Sequence, residues 1–161
     1  MRRGALTPGD VAGMEAALRM ARAAAVREEI PVGAVVIQEG RTLAEAHNET
    51  IRRQDPTAHA ELLAIQQALK AAGEDRLPGA TLYVTLEPCA QCAGSMILGK
   101  VGRVVFGAYD RRVGMAGSVH DLLRDPRQNW RPEVIGGVME EECADILKRF
   151  FEVRRSEDRP G

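Results

Sequence analysis

The chain has 161 residues, 45% hydrophobic and 28% charged, with a formal net charge of −1. That length holds one domain with a sizeable buried core, and the composition excludes a disordered chain. The near-neutral charge excludes a globally basic nucleic-acid binder, so a polyanionic partner must be met by a local basic patch.

In chain order, Thr7-Pro8-Gly9-Asp10 reads as a helix start, with Thr7 as cap, Pro8 in the first turn and Asp10 at the positive end of the helix dipole. Met14, Leu18, Ala21 and Ala25 recur at helical spacing, which predicts a helix to about Glu29 packed through its alanines on a sheet. After Pro31, V-G-A-V-V-I and T-L-A-E-A-H-N read as strands joined at Glu39-Gly40, hence an antiparallel hairpin. Gly33 marks either a close backbone approach, such as to a ligand, or a bulge.

Asp55-Pro56-Thr57 reads as the start of a second helix, with Leu62, Leu63, Ile65 and Leu69 inward and an end near Gly73. Pro78-Gly79 is a turn, T-L-Y-V-T-L-E a strand, and Pro88 opens a short helix holding Cys89 and Cys92. R-V-V-F-G follows as a strand, so this β-α-β order predicts a parallel pair with a right-handed crossover. Gly114, Gly117 and Ser118 indicate a loop, and Val119 to Arg124 a short helix. R-P-E-V-I-G-G-V is a fifth strand or an extended edge. Cys143, Ile146, Leu147 and Phe150 predict a closing helix from Glu140 to Phe151. The expectation is one α/β domain over 1–161, its core about 8–151 and its tail 152–161 partly frayed, with about five strands and helices on both faces.

No apolar run approaches the roughly 20 residues of a membrane span. The first ten residues lack the apolar centre of a signal peptide, so a cytoplasmic protein with no membrane partner is expected. Three cysteines, two in C-x-x-C spacing, do not make a secreted disulfide scaffold. His59, Cys89 and Cys92 are instead three ligands of the kind zinc accepts, and a catalytic zinc site keeps its fourth position for water. Both cysteines sit in the first turn of a predicted helix, where backbone amides and the helix dipole favour thiolates. Two thiolates cancel the formal charge of Zn²⁺ and weaken its effect on a bound water, so a nearby base is useful. Glu61, two residues beyond His59, is the candidate proton shuttle. A closed structural site needs a fourth ligand; Cys143 reads as core, and His47 and His120 lack a motif context. A redox C-x-x-C has no use for H-A-E.

H-A-E followed by P-C-A-Q-C resembles the zinc-dependent nucleoside and nucleobase deaminases, for which this signature is established. P-V-G-A-V-V, D-P-T-A-H-A-E, L-Y-V-T-L-E-P-C-A-Q-C-A-G-S-M-I, R-V-V-F-G-A-Y-D and A-G-S are similar to the bacterial tRNA-specific adenosine deaminases, over about Met14 to Arg155. The resemblance implies the three-layer α/β/α cytidine-deaminase-like fold with a central mixed sheet of about five strands. It also implies one Zn²⁺ per subunit, a homodimer, and a tRNA anticodon stem-loop as partner. The implied reaction is hydrolytic deamination of the wobble adenosine to inosine by zinc-activated water attacking adenine C6. Glu61 protonates N1 and then supplies a proton to the departing ammonia.

By the same likeness Asn48 bonds the flipped nucleoside, Asp110 lies near the RNA backbone, and Asn129 stands at the pocket mouth. Each of the three also reads as a loop-capping or turn residue. Arg52-Arg53, Arg111-Arg112, Lys148-Arg149 and Arg154-Arg155 are local pairs that can meet phosphates. Of Phe150-Phe151 one phenyl serves the bases and the other the core, with Phe150 taken as the substrate side. Two alternatives share the metal motif: a deaminase of a free base or nucleoside such as guanine or cytosine, and an inactive zinc-containing RNA-binding module. The module has no need of Glu61.

Overall fold

The computed structural model describes residues 5–159; residues 1–4, and residues 160–161 of the predicted tail, lie outside them. The elements run α1 (Gly9–Val26), β1 (Gly33–Gln38), β2 (Arg41–His47), α2 (Ala60–Ala72), β3 (Thr81–Leu86), α3 (Ala90–Leu98), β4 (Arg103–Ala108), β5 (Glu133–Ile135) and α4 (Glu140–Glu157). The strands form one mixed sheet in the order β2-β1-β3-β4-β5. β1 pairs antiparallel with β2 and β3, whereas β3–β4 and β4–β5 are parallel.

Side chains alternate across the strands and so fill two cores. Val36, Leu82, Val84 and Val104 meet α2 and α3 on one face; Val35, Tyr83 and Val105 meet α1 and α4 on the other. This is the predicted three-layer fold. The hairpin closes through Glu39 and Gly40, at φ 50° and 74°. Positive φ at both central residues matches the right-handed twist of the flanking strands.

Gly33 is explained by close approach, and what approaches is the fold itself. A Cβ there would strike the Ala17 carbonyl and the Ala21 amide of α1. The bulge lies elsewhere, between Val36 and Ile37. A helix backbone cannot yield as a side chain does. Gly33→Ala is therefore expected to cost about 3 kcal/mol, the upper end for overpacking, measurable as a lower urea midpoint at unchanged m.

Several boundaries differ from the expectation. α1 ends at Val26, three residues early, where the Arg27 and Glu28 amides bond back to Ala24 and Ala25 and Glu28 turns to φ 59°. The Thr7 hydroxyl makes no cap; the Thr7 N–H donates to Asp10 Oδ2 at 2.7 Å. α2 begins only at Ala60, because Asp55 Oδ1 accepts the N–H and hydroxyl of Thr57 in a local turn that competes with helix. Leu62 is half-buried, not inward. Residues 119–124 form no helix, and the segment is instead pinned by a bridge between Ala116 and Asp121. R-P-E-V-I-G-G-V does supply a fifth strand, of three residues. α4 runs six residues past Phe151, and Arg154 stacks over the Phe150 ring and donates to the Glu28 carbonyl at 3.1 Å.

Asp10 stands in the first turn of α1, as its dipole position required, and is also a fully buried hub. Arg103 of β4 reaches it through both terminal nitrogens, with Nη2 to Oδ2 at 2.7 Å, and the Tyr83 hydroxyl donates to Oδ1 at 3.0 Å. Burial alone would raise the Asp10 carboxyl. The Arg103 guanidinium and the Thr7 and Tyr83 donors outweigh it and hold the group well below the usual carboxylate range. α4 is seated through Cys143, whose sulfur occupies the place of a Cβ at Gly107 of β4.

Candidate active site

Two helix N-termini meet at one point. His59 is the residue before α2 and Cys89 the residue before α3, both with extended backbone, while Cys92 lies in the first turn of α3. The Asn48 side-chain oxygen accepts the Ala60 N–H at 2.8 Å and so caps α2. Gln91 of α3 donates to the Thr57 carbonyl at 2.9 Å, tying the second helix to the loop before His59.

This brings His59 Nδ1 to 3.5 Å from Cys89 Sγ and 3.4 Å from Cys92 Sγ. A tetrahedral zinc with about 2.3 Å to sulfur and about 2.1 Å to nitrogen spaces such ligands roughly 3.6 Å apart. The three side chains fit the ion. No fourth side chain joins this group among the described residues. Cys143 is buried beneath Gly107, and His47 bonds to the Asn48 carbonyl and to Arg27.

The two thiols titrate as a pair. The hydrogen bond from Cys92 pulls the Cys89 thiol down to about 4, while the bond to Cys89, burial and the Glu61 carboxylate push Cys92 up. Zinc takes both sulfurs as thiolates, so a cation bound between them displaces the thiol protons. Glu61 is buried in the first turn of α2, with its carboxylate against the Cys92 thiol. Burial pushes it up to about 7 against the opposing pull of its own backbone N–H. A carboxyl poised there can both take and give a proton near neutrality.

His59, Glu61 and Cys89 open into a cavity of about 600 Å³, within the roughly 300–1,000 Å³ of small-ligand sites. Asn48 and Asp110 line it, and so do Tyr109, Arg111, Arg112 and Phe151. Asn129 does not; it is exposed just before Trp130. Phe150 does not line it either and packs in a separate groove with Ala25 and Val26 of α1. Rows four residues apart on a helix explain the exchange. Ile146 and Phe150 form the row facing α1, while Leu147 and Phe151 form the row facing the cavity.

Of the four basic pairs only Arg111-Arg112 reaches this cavity; Arg53 pairs with Glu49 and Arg154 is spent on Phe150 and Glu28. Sequence reasoning missed two buried carboxylates that shape the surroundings. Glu29 accepts the amides of Ile51 and Arg52, and Glu87 accepts three amides and a hydroxyl from residues 110–118. A lone acidic residue beside a turn or at a strand end carries no sequence signal of burial.

A buried carboxylate beside one imidazole and two thiol ligands, with an open side, is how a zinc-dependent hydrolase is built. Over residues 9–108 the sequence matches the family described as the cytidine and deoxycytidylate deaminase zinc-binding region, and the chain belongs to that family. It is 48% identical over 138 residues to the tRNA-specific adenosine deaminase of Bacillus subtilis (strain 168), covering 86% of each chain. It is 43% identical to the protein of the same name from Agrobacterium fabrum (strain C58), covering 90% of this chain and 95% of that one. A solved structure from a study of A-to-I editing by tRNA:A34 deaminases at the wobble position of transfer RNA superposes with TM-score 0.81. That structure shares 43% identity with the chain and covers 84% of this chain and 99% of its own.

Proposed function

We propose that the chain deaminates the wobble adenosine of a tRNA anticodon to inosine, releasing ammonia. The single observation that carries this reading is the buried Glu61 carboxylate beside the His59–Cys89–Cys92 cluster. The near full-length identity to tRNA-specific adenosine deaminases supports the substrate. When bound, zinc supplies the Lewis acidity that makes water nucleophilic near neutral pH.

The chain's own groups do the rest. Glu61 accepts one proton from the attacking water and delivers it to adenine N1, then accepts the remaining proton from the new C6 hydroxyl and passes it to the departing amino group, which leaves as ammonia. Asn48 has its oxygen fixed by Ala60, which leaves its amide N–H₂ to donate to the base or ribose. Arg111 and Arg112 meet phosphate at the mouth, and Tyr109 and Phe151 offer rings to bases flanking the flipped nucleotide. In this reading Asp110 orders the mouth: its carboxylate accepts the amides of Arg112 and Val113 at 3.0 and 3.3 Å. Asn129 and Phe150 take no part at the base. A homodimer and a cytoplasmic setting belong to the same reading and are carried by the resemblance; among the described residues no helix is long and apolar enough to cross a membrane.

The test is an anticodon stem-loop carrying a wobble adenosine, incubated with the zinc-loaded chain and digested to nucleosides. Inosine is expected in the digest, lost on chelation and restored by added zinc. No inosine from a chain shown to hold zinc, or faster turnover of free guanine or cytosine, would overturn the reading.

A further inference from the structure

Glu87 immediately precedes Pro88 and is 2% exposed. Both oxygens of its carboxylate are in use. Oε1 accepts the Asp110 N–H at 3.1 Å and the Ser118 hydroxyl; Oε2 accepts the N–H groups of Ala116 at 3.0 Å and Ser118 at 3.1 Å. No ion pair among the described residues includes Glu87. Its burial is therefore compensated by hydrogen bonds alone. All four donors belong to the irregular segment 110–118. The adjoining Pro88 carbonyl holds the same segment by accepting the Met115 N–H at 2.8 Å. That segment brings Asp110, Arg111, Arg112 and Val113 to the cavity wall.

We propose that Glu87 is a positioning residue: it seats segment 110–118 in the shape that receives the substrate, and so sets substrate affinity and not the chemical step. This rests on the deaminase reading above. The segment supplies no metal ligand and no proton carrier, so what its disorder removes is binding. A carboxylate suits the task because it only accepts, at two oxygens. A glutamine would present N–H₂ to donors along one edge and leave amides without a partner. Only the fraction of molecules with the segment seated would then bind normally, and apparent affinity falls by that fraction.

The experiment uses the full zinc-loaded chain and the anticodon stem-loop, with Glu87→Gln and Ser118→Ala beside the wild type. Glu87→Gln is expected to raise KM about tenfold, and Ser118→Ala, which removes one bond of four, about threefold, with kcat within about twofold in both. Zinc content should remain one per chain. Amide hydrogen exchange should quicken at Ala116 and Ser118 in Glu87→Gln while α3 stays protected. A residue serving overall stability alone would quicken exchange throughout and leave KM unmoved. Unchanged KM at full zinc content, or a loss of kcat at unchanged KM, overturns the proposal. If Glu87→Gln fails to fold, Ser118→Ala decides, and an unchanged KM in it overturns the proposal as well. A wild-type chain that makes no inosine overturns the underlying deaminase reading and this inference with it.

Discussion

Glu61→Gln is expected to retain one zinc per chain and the wild-type fold while losing roughly 10²–10⁴-fold in turnover of the stem-loop, the range for removing a general acid–base. Glutamine matches glutamate in size, so the packing around this buried position persists. The three ligand atoms are not touched, and the metal should stay. What disappears is the capacity to accept a proton and return it. Stability should hold or rise slightly, because burial already disfavours the charged form that the amide replaces. Metal analysis, thermal melting and single-turnover inosine formation on one preparation separate these effects. Turnover within tenfold of wild type would refute the proton-shuttle role.

The largest effect on stability is expected at Asp10. Asp10→Asn keeps the shape but leaves the Arg103 guanidinium, nearly buried on β4, without its main counter-charge. Breaking such a pair from one side costs about 3 kcal/mol or more, or a melting point lower by about 10 °C for a chain of this size. Arg103→Met added to Asp10→Asn should recover part of the loss, since the stranded charge goes too. The pH dependence follows from the lowered Asp10 pKa in the folded state. A carboxyl depressed on folding stabilises fully above its unfolded pKa, near 3.9, and that contribution is lost as pH falls towards the folded value. The gap in unfolding free energy between wild type and Asp10→Asn should therefore be full at neutral pH and shrink below about pH 4. A gap constant down to pH 2 would show that shape, not charge, is responsible.

The metal ligands were legible in the sequence because zinc chemistry restricts residue type and spacing together: H-x-E and P-C-x-x-C each place their groups at the N-terminus of a helix, on the residue before it and in its first turn. The hairpin was legible because a two-residue turn with Gly40 leaves little choice of backbone. Other features depended on distant partners. The start of α2 was misplaced because Asp55 and Thr57 are good caps in isolation, and here they serve each other. Residues 119–124 have helical spacing but are held by Ala116 and by the segment that Glu87 gathers, a contact 29 residues away in sequence for Ala116. Phe150 and Phe151 could not be told apart because helical spacing gives a row, not the neighbour that the row meets. Asn129 drew its role from likeness alone, and the chain around Trp130, pinned by its indole N–H to the Val101 carbonyl at 2.8 Å, turns it to solvent.

The seat of Cys143 on Gly107 reaches further than packing. From that contact α4 projects Leu147 and Phe151 one and two turns onward to the cavity, so the height of the helix above the sheet fixes how wide the mouth stands. One missing methyl group, on the face of the sheet away from the metal helices, acts as the shim that sets the aperture. Evolution or design could widen or narrow the entrance for RNA from there, without altering any atom that meets the metal or the base.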